Sequence, residues 1–239
     1  FGKTLLIWPE QGVGDQFTFL GLLQKFQDVT KSKITLMCDP RLQTIYARSF
    51  SDVNVVVDLE TSTDDRTFDF HLPLGDIAPL MNFSKDLSFM SAPYIKPKEN
   101  ICRNWNELLS QNKLRIGLAW DFANGNFSGS KQSKRKLNSS SLIDWIDIVE
   151  NTEIQVVNLQ YGLAANLMSE LDIQTFDKLY QPNFDLKNDF ENLAALVGNL
   201  DCVISPVSAI MTFAASCGTP TLSYYTHVTD RALCENKEN

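Results

Sequence analysis

Basic residues are in the minority in this chain: 21 Lys and Arg stand against 29 Asp and Glu, for a net charge of −8. A duplex nucleic-acid binder needs clustered cations to displace phosphate counterions, and an anionic membrane surface makes a similar demand, so neither partner is expected. No apolar run approaches the ~20 residues that cross a bilayer, and no signal peptide opens the chain, so no membrane span is expected. The five cysteines, Cys38, Cys102, Cys202, Cys217 and Cys234, are scattered without a C-x-x-C pair. That pattern predicts reduced thiols in a cytoplasmic protein rather than a disulfide framework or a zinc site. With two histidines, no metal-ligand cluster is expected. Repeats and low-complexity segments are missing too, and Phe1 in place of Met suggests an upstream region. What remains is 239 residues with 44% hydrophobic content, enough for a full core in one large or two small domains.

The chain is organised around its opening stretch. Leu5 to Trp8 is a short apolar run that reads as a buried strand. Gly12 and Gly14 follow, and then Phe17, Leu20, Leu23 and Phe26 recur at helical spacing. Strand, glycine turn and helix in that order place backbone N–H groups at the edge where ligands of open parallel sheets bind. The third glycine of a dinucleotide fingerprint is replaced by Phe17. Asp15 stands at the expected helix start. It reads equally as an N-cap worth about 1 kcal/mol and as a carboxylate at the mouth of a substrate cleft.

Strands are predicted at Lys33–Cys38, Asn54–Asp58 and Phe68–Leu72, with helical segments and no hairpin signals between them, which gives a βαβ half. Residues ~84–100 read as a connector. A second half follows, with a helix at Trp105–Gln111 and strands at Leu114–Trp120, Ile154–Leu159, Asp201–Ser205 and Thr219–Tyr225. Helices are expected at Ser141–Val149, Phe190–Leu200 and Val207–Cys217, the last opened by Pro206 and closed by Gly218. The division is therefore 1–96 and 97–239. Within the second half lies a long polar loop, Asp121–Ser141, whose Lys131, Lys134, Arg135 and Lys136 stand out in an acidic protein. As a group they suit a phosphate-bearing ligand, although a solvated loop is the plainer reading.

Trp8-Pro-Glu-Gln-Gly-Val-Gly-Asp15, Gly117-Leu-Ala-Trp120, Val157-Asn-Leu-Gln-Tyr-Gly162, Leu200-Asp-Cys-Val-Ile-Ser205 and Gly218-Thr-Pro220 occur in that order. The set resembles the glycosyltransferase-like region that follows tetratricopeptide repeats in many bacterial proteins, related to the heptosyltransferases. The resemblance implies an α/β GT-B-like fold, two Rossmann-like halves facing across a cleft. It also implies a nucleotide-sugar donor as substrate without a further cofactor, a glycan or protein acceptor, and possible upstream tetratricopeptide repeats. It maps the acceptor-facing aspartate onto Asp15, a basic donor contact onto Arg135 and a nucleotide-side turn onto Gln160. Related sequences commonly read Ser-Val-Asp-Thr-Ala-x-x-His where this chain has Ser205-Pro-Val-Ser-Ala-Ile-Met-Thr212, so Val207 replaces an acid and Thr212 a histidine. They also continue through a helix that crosses back to the first half, which implies that the C-terminal end here is cut short.

Two functions compete. One is a metal-independent glycosyltransferase, with Asp15 or alternatively His71 as general base. In it Gly12, Gly14, Gln16, Gln160, Tyr161, Ser205, Ser208 and Ala209 line the substrates, while Arg135 and Lys136 stabilise the leaving diphosphate. The other is a non-catalytic nucleotide-sugar or glycan-binding module, or a scaffold domain of a repeat protein.

Overall fold

The structure, a computed structural model, describes residues 2–59, 68–81, 93–121, 140–162 and 170–224. The loop carrying Lys131, Lys134, Arg135 and Lys136, together with Tyr225 and Cys234, lies outside the described residues.

Two parallel sheets organise the chain. The first contains β1 (Thr4–Trp8), β2 (Lys33–Met37), β3 (Asn54–Val56) and β4 (Phe70–Pro73) in the order β3-β2-β1-β4. The second contains β5 (Leu114–Leu118), β6 (Ile154–Asn158), β7 (Cys202–Pro206) and β8 (Thr221–Tyr224) in the order β6-β5-β7-β8. In each sheet the chain steps outward on one side of its first strand and then returns to the other side. Ligand crevices of open parallel sheets form at such switch points, beyond the strands' carboxyl ends. The period of two along β6 and β7 sends Val157 and Val203 to one face, and Val156 and Ile204 to the other. Both faces are covered, which is why these strands read as near-continuous apolar runs.

The helices are α1 (Val13–Phe19), α2 (Leu23–Thr30), α3 (Gln43–Ser49), α4 (Ile77–Leu80), α5 (Glu99–Leu108), α6 (Ile146–Val149), α7 (Glu170–Phe176), α8 (Phe190–Val197) and α9 (Ala209–Ser216). Several boundaries differ from expectation for local reasons. Pro97 and the extended Lys98 start α5 at Glu99, six residues ahead of Trp105, so the connector is shorter than read. Pro206 closes β7, paired with Tyr224, and does not open a helix; the extended Ser208 does, so α9 begins at Ala209. The segment Ser141–Val149 is split into a 3-10 turn, Leu142–Trp145, and the short α6, with Ser141 and Asp144 forming a capping box. Gly218 ends α9 in the left-handed region, φ 88°, as a C′ glycine should.

The two halves share one core. Leu5, Ile7, Phe17, Leu23 and Tyr46 from the first half cluster with Trp105, Phe190, Leu193 to Val197 and Phe213 from the second. Helix α8 is buried at Phe190 and throughout Leu193–Val197, the pattern of a helix in the middle of a structure. The Phe17 ring lies 4.7 Å from Phe213, 5.7 Å from Phe190 and 6.4 Å from Tyr46, centroid to centroid. Polar ties run alongside. Arg48 donates to both Glu191 carboxylate oxygens, at 3.0 and 2.7 Å, and to the Lys96 carbonyl at 2.7 Å. The Ile95 side chain is buried, and the Tyr94 and Ile95 N–H groups both donate to the Ser216 carbonyl at 3.0 Å. Segment 93–98 is thus laid into the structure and does not hang as a solvated linker.

Candidate functional site

A cavity of about 280 Å³ opens where the carboxyl ends of the two sheets meet. From the first half it is lined by Gln11, Gly12, Val13 and Gln16, at the start of α1, and by Asp39 and Arg41, just after β2. From the second half come Tyr161 after β6, Leu186 and Lys187 before α8, and Phe190, Leu193, Ala209, Ile210 and Phe213.

The glycine turn brings the halves together. Gly12 is the N-cap of α1, with φ −68° and ψ 170°, and Asp15 is the third helical residue. Asp15 is therefore not the N-cap: the extended backbone at Gly12 starts the helix three residues before it. A Cβ on Gly14 would lie 3.3 Å from both Cα and Cβ of Ala209. The second glycine thus permits close approach of α1 to α9, and the Thr212 hydroxyl donates to the Gly14 carbonyl at 3.4 Å.

Arg41 closes one side. Its Nε and Nη2 donate to the two oxygens of Asp39 at 2.8 Å each, and its Nη1 donates to the Lys187 carbonyl at 3.0 Å and the Asn188 side-chain oxygen at 3.3 Å. The guanidinium also lies 5.5 Å from the centre of the Phe190 ring. This hydrogen bonding holds the Asp39 carboxyl below its usual range and raises Arg41, so the pair stays ionised and nearly charge-neutral as a unit. Burial raises the Tyr161 hydroxyl, against the opposing pull of Arg41, so it is a neutral phenol at pH 7.

Of the residues expected at a site, Gly12, Gln16, Tyr161 and Ala209 line this cavity, while Gly14 stands behind it. Asp15 is half-buried on the same helix but is not among the lining residues. His71 is exposed on the edge strand β4, in register with Leu6, away from the cavity. Gln160 is buried and committed to the fold: its Oε1 accepts the Trp120 and Asp121 N–H groups at 2.9 Å, and its Nε2 donates to the Tyr161 carbonyl at 3.0 Å. Ser205 and Ser208 share a hydroxyl–hydroxyl hydrogen bond of 2.9 Å. Arg135 and Lys136 lie outside the described residues.

The sequence reading passed over Asp39, Arg41, Lys187 and Phe190. Asp39-Pro40 was legible as a turn, and the Asp39 carboxylate does accept the Arg41 N–H at 3.0 Å. Nothing local shows that Arg41 reaches a carbonyl 146 residues away. Among the described residues no group of His, Cys, Asp and Glu is arranged to hold a metal ion, and no helix is long and apolar enough to cross a membrane.

Two all-parallel α/β units with a cavity at their joined carboxyl ends match the GT-B fold of glycosyltransferases. Similar solved structures are those of heptosyltransferase-type enzymes. The glycosyl transferase family 9 protein of Veillonella parvula aligns with a TM-score of 0.61 and 13% identity, over 95% of this chain and 82% of its own. The ADP-heptose lps heptosyltransferase II of E. coli aligns at 0.57 and 12%, over 93% and 84%. By sequence, Protein FlbA of Caulobacter vibrioides is 25% identical over 238 residues, 92% of this chain but 39% of FlbA, so the chain spans about two-fifths of that relative. No family model matches.

Proposed function

We propose that this chain is a glycosyltransferase that takes a sugar from a nucleotide-sugar donor and passes it to a glycan or protein acceptor. The observation that carries the reading is the position of the cavity, at the sheet switch points of both halves and lined by both. The E. coli neighbour is described as an ADP-heptose enzyme, which supports a nucleotide sugar as donor class. In the proposed reaction an acceptor hydroxyl attacks the anomeric carbon, the bond from that carbon to the diphosphate breaks, and the diphosphate leaves with the electron pair. Asp15 is the proposed base for the hydroxyl proton; its place in the first turn of α1, beside the lining residues Gly12, Val13 and Gln16, supports that role. Arg135 and Lys136 are proposed to meet the leaving charge. The donor is a substrate, and no further cofactor is invoked. Tetratricopeptide repeats upstream, presenting the acceptor, belong to the same proposal.

A second reading, a non-catalytic sugar-binding module, is favoured by one feature of the wall. Its single carboxylate among the described residues, Asp39, is locked to Arg41. Release of nucleoside diphosphate from UDP-glucose, UDP-N-acetylglucosamine and GDP-mannose separates the two. Transfer predicts release that falls at least about a hundredfold in Asp15→Asn, the scale of a lost general base, with the melting temperature nearly unchanged. Binding without release supports the module; release unaffected by Asp15→Asn removes Asp15 from the chemistry.

A further inference from the structure

One side chain of the cavity, Gln16, has no role in the fold. Gln16 is 5% exposed and lines the cavity, yet its side-chain amide makes no hydrogen bond among the described residues. A glutamine amide carries two N–H donors and a carbonyl acceptor. Its amide is not sealed away from solvent but opens on the cavity with no partner in the fold, so all three groups are available to a ligand there. Phe190, Leu193, Ile210 and Phe213 give the same cavity a largely apolar wall. Gln160, by contrast, is equally buried and engaged with backbone groups through both its oxygen and its nitrogen, so this chain does satisfy amides that serve the fold.

We infer that Gln16 is the specificity-determining residue of the cavity and that it reads the hydroxyls of a single glycosyl unit. The inference rests on the nucleotide-sugar reading above and says which part of the ligand enters. A phosphate only accepts hydrogen bonds and would leave the amide carbonyl unpaired, whereas a sugar hydroxyl both donates and accepts. A pyranose also presents C–H faces, which suit a wall of Phe190 and Phe213. The lining charge agrees: Arg41 is neutralised by Asp39, and Lys187, exposed at the rim, is the cation placed to meet a diphosphate outside. The volume agrees as well. About 280 Å³ is at or below the lower end of ordinary ligand sites, room for a sugar with its nucleotide left outside.

The test uses the whole chain and its variants Gln16→Met, which conserves volume without an amide, and Gln16→Ala. Melting temperatures are read alone, and affinities are read by calorimetry with UDP-glucose, UDP-N-acetylglucosamine, GDP-mannose and ADP-glucose against UDP, GDP and ADP. The wild type should prefer at least one nucleotide sugar over its diphosphate by about tenfold, the value of one well-made hydrogen bond. Both variants should lose that preference while still binding the diphosphate. Gln16→Met should melt no lower than wild type, because volume is conserved and no hydrogen bond of the fold is lost. A clearly lower melting temperature for Gln16→Met would overturn the inference, as would a preference that survives in both variants. Equal binding of nucleotide sugar and diphosphate by the wild type would overturn it too, while leaving the nucleotide-sugar reading in place. Binding of neither would remove both.

Discussion

Phe17→Ala tests the claim that the two halves form one cooperative structure. The Phe17 ring is 2% exposed and packs against Tyr46 of the first half, and against Phe190 and Phe213 of the second. Truncation removes the transfer energy of the ring and leaves a void between helices that are pinned elsewhere, at Gly14–Ala209 and Arg48–Glu191. Relaxation into the void is therefore restricted, and the cost should sit in the usual range for buried Phe→Ala, about 3–5 kcal/mol. For a chain of this size each kcal/mol moves the melting temperature by about 2–4 °C, so a fall of about 6–20 °C is expected. Trp8 reports on the first half, and Trp105, Trp120 and Trp145 report on the second. Urea unfolding followed by tryptophan fluorescence in the Trp8→Phe background reads the second half, and circular dichroism of the same samples reads both halves. The second-half transition should move with the first, as a single step to lower denaturant. A second-half transition left in place by Phe17→Ala, with only the first half shifted, would refute the shared core.

The Asp39–Arg41 pair gives a pH dependence. The Asp39 carboxyl is held down in the folded protein, so its contribution is present above the unfolded value near 3.9 and is lost as pH falls through the lower folded one. Wild type should therefore melt above Asp39→Asn at pH 7, with the difference constant down to about pH 5 and closing below about pH 4; a gap that widens in acid would contradict the sign. Burial pushes the Cys38 and Cys217 thiols up to about 12. Because the thiolate is the reactive form, iodoacetamide at pH 8 should leave both unlabelled in the native protein and modify them only after unfolding, as read by peptide mass spectrometry. Rapid native labelling of either would mean that its packing is wrong.

The eight strands of the described residues were legible, the well-buried ones because parallel strands covered on both faces leave short apolar runs that little else explains, as at Leu5–Trp8 and Ile154–Asn158. Helix α7 was not legible: Glu-Leu-Asp-Ile-Gln-Thr-Phe mixes a strand-like alternation with too few residues to establish a helical period. Glycines mark that something comes close without saying what. Gly14 read as part of a substrate-lining turn, and its neighbour is Ala209, nearly two hundred residues on. The same limit hid Arg41, whose partners are set by how the halves pack, and it hid the difference between Gln160, spent on the backbone, and Gln16, left facing the cavity. Residue type and spacing carry the elements; which polar atoms remain free is decided only when the halves meet.

The central claim, that a nucleotide sugar binds between the two halves, is tested most directly by a crystal structure of the chain with the tightest-binding nucleotide sugar of the panel. The account predicts the ligand in the cavity, its sugar within hydrogen-bond distance of the Gln16 amide and over Phe190, and its diphosphate toward Lys187. A ligand seated elsewhere, along the exposed β4 edge at His71 or on the far face of the second sheet, would contradict it.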